Sequence, residues 1–294
     1  MSKQLFISFF VAGLLAACSS GEPESAVVEP TPPAEPMNMG EAEPSTDAAT
    51  DSFEERSNPT ETDPRPIAER VSSGFVSPGR PQVDIALHAN RKPQLVIEWA
   101  GIGEAMSVLD VAAYNGYYTE NLSWAVGPEG WVVSHNTPSI LSRNAETGET
   151  WARRLAGNRL ANVDTYEGSY EDIAAHFDEE FDAVTLVNTF HDTHNFAGEE
   201  AALAMLQNLY SVVLPGGFLL LIDHEGVEGN DNASLHRIDP ALVETMLQQA
   251  GFEVTAKASI LSNPEDDRGL SIFDPQVRGT TSRFILKAGK PAAM

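Results

Sequence analysis

Between Ser107 and Val126 the hydrophobic pattern changes period. Val108, Leu109 and Val111 make a short apolar run, small residues and Gly116 follow, and Leu122, Trp124, Ala125 and Val126 then recur at helical spacing. An apolar run of this length predicts a buried parallel strand, and the later spacing predicts a helix. The helix is expected to start near Gly116, so its free N–H groups point into the crevice beyond the strand's carboxyl end. In an open α/β sheet that crevice is where nucleotide-like ligands sit.

The alternation continues on both sides. Upstream, Gln82–Asn90 and Pro93–Trp99 predict two short helices. Their Asp84, His88, Arg91 and Lys92 either close over a ligand site or form a solvated lid. Gly127-Pro128-Glu129-Gly130 turns into a second strand, Trp131–Ser134, which ends at His135-Asn136. Glu146–Ala156 predicts a helix, Asn162–Tyr166 a third strand, and Ser169 or Asp172 the cap of a short helix reaching Phe177. Phe181–Asn188 reads as a fourth, buried strand. Ala202, Met205, Leu206 and Leu209 mark a helix over Glu199–Val213, ended by Pro215-Gly216-Gly217 before a fifth strand, Phe218–Ile222. Asp239 caps a helix with proline at its first position, running to Ala250 with Gly251 as its stop. Phe252–Ile260 and Ser282–Lys287 are the last two strands. The long loop between them, Leu261–Thr281, carries Asp266, Asp267 and Arg268, as a lid or as a solvated charge cluster. Strands alternating with helices predict a mostly parallel sheet with helices on both faces.

The N-terminal region follows a different pattern. Lys3, an apolar run from Leu5 to Leu15, and Leu15-Ala16-Ala17-Cys18 form an export signal too short to stay in a bilayer. The small residues before Cys18 resemble the lipobox of bacterial lipoproteins, which implies cleavage and diacylation of that cysteine. Ser19 after it resembles sorting to the outer membrane. Cys18 is the chain's only cysteine, so there is no disulfide framework and no thiolate metal site. From Ser19 to Arg70 stand thirteen Asp/Glu against three Lys/Arg, with nine of the nineteen prolines. Such a segment buries too little apolar surface to offset its ordering entropy, and is expected to be a disordered spacer. The net charge of −25 is partly this tail, but the remainder is acidic too. Nucleic acid is therefore an unfavoured partner, since phosphate neutralisation needs a basic face.

Strand, glycine turn and helix, with the later Leu214-Pro215-Gly216-Gly217 before a strand, resemble a class I S-adenosylmethionine-dependent methyltransferase. More narrowly, the chain resembles a bacterial family of exported methyltransferases. That likeness rests on Gly116-Tyr117-Tyr118-Thr119-Glu120, Val126-Gly127-Pro128, His191-Asp192 and His236-Arg237-Ile238-Asp239. Leu261-Ser262-Asn263-Pro264, Phe273-Asp274-Pro275 and Arg278-Gly279-Thr280-Thr281 extend it, over about residues 80–290. The resemblance implies a Rossmann-like seven-stranded, mostly parallel sheet with helices on both faces, its final hairpin strand antiparallel, and S-adenosylmethionine as cofactor. The chain then divides into a lipoprotein signal over 1–17, an acidic, proline-rich tether over 18–75 and a methyltransferase-like domain over 76–294.

In this class an acid is followed by small or glycine residues two, four and six positions on. Here the acid is Asp110 and those positions are Ala112, Tyr114 and Gly116. Tyr114 is the departure, because glycine there admits the ligand to the backbone and takes positive φ freely. The tyrosine can stack on the cofactor, swing out of the pocket or fill it. Where an acid usually holds the ribose hydroxyls, the chain has His135-Asn136, and Asn136 offers one neutral acceptor. Ser169 and Asn188 complete the expected cofactor set.

The expected chemistry lies after the fourth strand, at Asn188-Thr189-Phe190-His191-Asp192-Thr193-His194. Methyl transfer needs alignment more than covalent help, and His191 beside Asp192 is the expected base for an oxygen or nitrogen nucleophile. Asp223-His224-Glu225, at the end of the fifth strand, either touches substrate or is a polar loop start. His191, His194, His224 and His236 are also a possible metal set, but no HExxH motif supports it, and the sequence assigns no metal. Three functions compete: a methyltransferase acting on a small molecule or an envelope component, an exported binding module with an altered pocket, and a His-cluster hydrolase. The first is preferred. Its expected setting is the periplasmic face of the outer membrane, held through the N-terminal lipid with no obligate protein partner.

Overall fold

A computed structural model describes residues 63–143 and 145–293. The signal over 1–17, Cys18 and the tether up to residue 62 lie outside the described residues.

The fold begins earlier than expected. Helix α1 (Ile67–Ser73) and a 3-10 turn at Gly74–Val76 stand where the last part of a disordered tether was placed. The reason is apolar content the acidic composition hides: Val71 is fully buried, packed in one cluster with Val96, Ile97 and Leu122. Helices α2 (Gln82–Arg91) and α3 (Pro93–Ala100) match the pattern, with proline at the first position of α3. Strand β1 (Ser107–Val111) leads into α4 (Tyr117–Val126) and β2 (Trp131–Asn136). An unpredicted helix, α5 (Pro138–Arg143), precedes α6 (Ala145–Leu155) and β3 (Val163–Glu167).

Helix α7 (Ile173–His176) leads to β4 (Phe181–Val187), and a single turn, α8 (Phe190–Asp192), continues into a π-type turn at Thr193–Ala197. Asp172 does not cap α7 with its side chain; its carboxylate accepts from the Ser169 N–H and Oγ at 3.1 and 2.8 Å. Helix α9 (Glu199–Val212) passes without a break into β5 (Val213–His224), so Pro215-Gly216-Gly217 lies within the strand as an irregularity instead of before it. The short α10 (Asn232–Leu235), then α11 (Pro240–Gln249), β6 (Glu253–Ala258) and β7 (Arg283–Gly289) complete the chain. Asp239 caps α11 as expected, accepting from the Ala241 N–H at 2.9 Å.

The seven strands form one sheet in the order β3-β2-β1-β4-β5-β7-β6, parallel except for β7, which runs antiparallel to both its neighbours. The pattern predicts a mostly parallel sheet with helices on both faces, and the seven strands with one antiparallel hairpin strand are those of the class I methyltransferase fold that the resemblance implies. Successive residues of β1 supply opposite faces: Val108 packs with α3 and α4, Leu109 with the cluster under α9 and α11. β5 does the same, with Leu220 and Ile222 on one face and Leu219 and Leu221 on the other. Such strands, buried on both faces, read as continuous apolar runs. Strand order reverses direction between β1 and β4, which opens a crevice at their carboxyl ends.

Candidate functional site

The turn after β1 holds three left-handed residues at alternate positions: Ala112 (φ 52°), Tyr114 (φ 50°) and Gly116 (φ 75°). Side chains from the next βα unit fix it. The Asn136 amide takes the Tyr114 N–H at 2.7 Å and donates to the Tyr114 carbonyl at 3.1 Å. Trp151 Nε1 donates to that same carbonyl at 2.7 Å, and Arg154 Nε to the Asn115 carbonyl at 2.9 Å. Trp151 also sits so close to Gly116 that a Cβ there would lie 2.5 Å from its ring. Beneath, buried His135 presents Nδ1 to the Ala112 N–H at 3.4 Å and Nε2 to the Gly168 carbonyl at 3.0 Å. Burial pushes its pKa down to about 4, so it is a neutral ring held as the Nε2–H tautomer.

The turn is one wall of a cleft of about 360 Å³ at the β1–β4 switch point. Of the predicted residues, Asp110, Ala112, Tyr114 and Asn188 line it, with Asp84, Arg91 and His224. Asp110 is buried; Thr119 donates to one of its oxygens at 2.6 Å and Thr185 to the other at 2.8 Å. Burial raises its pKa to about 6, against the pull of those two hydroxyls. Tyr114 neither fills the cleft nor leaves it: the side chain stands half-exposed at the rim, 44% accessible. Arg91 lies over the Tyr117 ring at 4.7 Å and makes no ion pair among the described residues. Asn115 and Asn188 each present a buried Oδ1 with no hydrogen-bond partner, although a buried acceptor normally has one. Asn188 (φ 54°) is fixed through its N–H to the Ile222 carbonyl at 2.8 Å.

Four expectations need correction. Asn136 bonds Tyr114 with both ends of its amide and does not line this cleft; it lines a neighbouring one with Ser134, Trp151 and Glu167. Ser169 is engaged with Asp172 and stands outside the cleft as well. His191 is not poised as a base. Burial disfavours its charge, but the Asp223 carboxylate and bonds to Asp192 and Asp223 outweigh that and raise its pKa to about 10. Its Nδ1 donates to Asp223 Oδ1 at 2.7 Å and its Nε2 meets Asp192 Oδ1 at 3.1 Å, so both nitrogens carry protons near neutrality. Neither His191 nor Asp192 lines the cleft. The histidine that does is His224, whose Nδ1 pairs with Thr281 Oγ1 at 2.8 Å. Its place in the sequence, at the end of a strand, did not separate a substrate contact from a polar loop start.

The possible metal set changes in the same way. His194 pairs with its neighbour Asn195 at 3.0 Å, and His224 turns to Thr281. His191 and His236 remain together, and the third member is Asp192, with the three ligand atoms within 4.8 Å of one another. The long loop after β6 is a fixed structure. Arg237 donates to both oxygens of Asp266 at 2.8 and 3.0 Å, and all of these atoms are buried.

No protein-family profile and no curated protein matches the chain. Solved structures do. A SAM-dependent methyltransferase from Aquifex aeolicus superposes with a TM-score of 0.50 at 20% identity, over 78% of this chain and 99% of that one. The [4+2]-cyclase SpnF superposes with a TM-score of 0.53 at 16% identity, over 78% of this chain and 92% of that one. At such identities the likeness defines the fold. That one of the two is a cyclase shows why the reaction has to be argued from the site.

Proposed function

We propose that the cleft binds S-adenosylmethionine and that the protein transfers its methyl group to a small molecule or envelope component. The observation that carries this reading is the turn at 112–116. Left-handed backbone at three alternate positions is retained although only one residue is glycine, which costs about 1–2 kcal/mol at each of the other two. Strain of that kind persists where the backbone shape itself is used.

The residues present suit the amino-acid half of the cofactor. Arg91, free of ion pairs among the described residues, matches its carboxylate. The unpartnered Oδ1 atoms of Asn115 and Asn188 are acceptors for its ammonium group. The nucleoside half is less well served, because the residue at the ribose position, Asn136, is a neutral amide already bonded to Tyr114 at both ends. When bound, the cofactor supplies an activated methyl group, and the protein's task is alignment. His224, on the cleft wall at the end of β5, is the side chain placed to accept a hydrogen bond from an incoming nucleophile.

The neutral Asn136 at the ribose position supports a second reading, an exported binding module whose ligand lacks a ribose. Calorimetric titration of the full chain separates the two. S-adenosylmethionine and S-adenosylhomocysteine are expected to bind at micromolar concentration, with Arg91→Ala weakening both at least tenfold. No heat at millimolar ligand overturns the cofactor reading and leaves the binding module.

A further inference from the structure

Beside the cleft, not in it, three side chains converge on a point that nothing in the cofactor reading uses. His191 and Asp192 come from α8, and His236 follows α10. We propose that His191 Nε2, Asp192 Oδ1 and His236 Nδ1 bind one divalent transition-metal ion of the zinc, iron(II) or manganese(II) kind.

The spacing is that of a coordination sphere. Asp192 Oδ1 stands 3.1 Å from His191 Nε2 and 3.0 Å from His236 Nδ1. Ligand atoms about 2.0–2.2 Å from a shared ion lie roughly 3.0–3.5 Å apart. The remaining separation is no more than 4.8 Å, and His236, partly exposed, can swing to close it. Two imidazoles and one carboxylate suit first-row transition metals better than magnesium or calcium, which prefer all-oxygen sites.

His191 is also held as a metal-bound histidine is held. Asp223, fully buried, accepts from its Nδ1 at 2.7 Å and from its backbone N–H at 2.8 Å. A carboxylate on the far nitrogen fixes ring orientation and leaves the near nitrogen aimed at the ion. The ion would take the place of the proton between Nε2 and Asp192. His236, in left-handed backbone (φ 53°), is the C-cap of α10, and its N–H bonds to carbonyls of that turn fix where the ring starts.

The sphere is open on one side. The Asp192 and His236 side chains are 42% and 27% accessible, which leaves room for water or a substrate oxygen. Phe196 and Phe273, both largely exposed, flank the His236 ring at 5.0 and 4.8 Å. They form an apolar wall next to the open positions. The ligand this arrangement takes has an oxygen donor beside an aromatic or aliphatic body.

The test uses the full chain without an affinity tag, stripped with chelator and titrated with zinc chloride and with manganese chloride. One equivalent of zinc is expected to bind at micromolar concentration or tighter. Asp192→Asn and His236→Ala should each weaken binding at least a hundredfold while the metal-free unfolding midpoint stays close to that of the parent, since both side chains are partly exposed. Asp223→Asn should weaken it about ten- to a hundredfold. In the unmutated protein, zinc should shift the ring resonances of His191 and His236 and leave those of His176 in place, which needs no variant to fold. Absence of stoichiometric binding at millimolar zinc, or binding that Asp192→Asn and His236→Ala leave unchanged, overturns the proposal. These titrations contain no S-adenosylmethionine, so the metal site and the cofactor reading fail independently.

Discussion

Tyr114 and Ala112 can occupy positions suited to glycine because their surroundings leave the turn no alternative. Asn136, Trp151 and Arg154 take up its polar atoms from outside, and the Trp151 ring closes the space at Gly116. Gly116→Ala is therefore expected to destabilise the protein by about 2–4 kcal/mol, from a methyl group forced both into left-handed backbone and against an indole. Urea unfolding measures it, and a loss under about 1 kcal/mol would mean that the Trp151 contact is loose. Asp110 allows a second test at the same scale. Its pKa is raised by burial from 3.8 to about 6, so its contribution to stability is fully present below pH 3.8 and is lost as pH rises through 6. Relative to Asp110→Asn, the parent should lose about 3 kcal/mol between about pH 3.5 and pH 7. A stability difference that stays flat across that range would show that the carboxyl titrates in the fold as it does in the unfolded chain.

Elements were more legible than sites because periodicity reports burial, and burial determines most of this fold. Strands β1, β4 and β5 are largely apolar, interrupted only at Asp110 in β1, at Asp182 and Thr185 in β4 and at Pro215-Gly216-Gly217 in β5, and the structure buries their apolar side chains on both faces. What the pattern missed is local: α5 is only six residues long, although Thr137 caps it by accepting from the Ile140 N–H at 3.2 Å, α1 hides its buried valine in an acidic stretch, and Pro215-Gly216-Gly217 reads as a break but is absorbed in β5. The loop after β6 was undecidable, since Asp266 looks the same in sequence whether solvated or paired. Its pairing partner, Arg237, lies 29 positions earlier and is fully buried. Arg237→Met should cost about 3–5 kcal/mol, because Asp266 is left charged and unpaired in the interior. Adding Asp266→Leu should recover much of that loss if the pair serves mainly to satisfy itself. Equal losses in the single and double variants would instead make the backbone contacts of Asp266, such as the Ser282 N–H at 2.6 Å, the larger part of its role.

At the scale of the whole molecule, the expected residues that the structure brings to the cleft are those tied to β1 and β4, whose positions the topology dictates: Asp110, Ala112, Tyr114 and Asn188, with Gly116 behind them against Trp151. Those it leaves outside, Asn136, Ser169 and His191, depend on which of several nearby polar groups each side chain meets, and spacing along the chain carries no record of that. The N-terminal signal raises a matter no cleft geometry addresses. A lipid-anchored enzyme outside the cytoplasm works away from where S-adenosylmethionine is made, so under the proposed function anchoring and catalysis have to be reconciled by a cofactor supply. A binding module carries no such demand. The proposed anchor is accessible to experiment in its own right. In a Gram-negative host, the full chain is expected to incorporate labelled palmitate and to sediment with outer membranes, while Cys18→Ala does neither. A single acyl chain holds a protein only weakly, whereas the dual and triple acylation of such a cysteine holds it firmly, so fractionation should separate the two forms cleanly. Equal fractionation of parent and variant would remove the lipid anchor. The cofactor would be within reach only if both forms were also recovered with the cytoplasmic fraction, since an export signal without the lipid still carries the chain beyond it; that outcome would lift the strongest objection to methyl transfer.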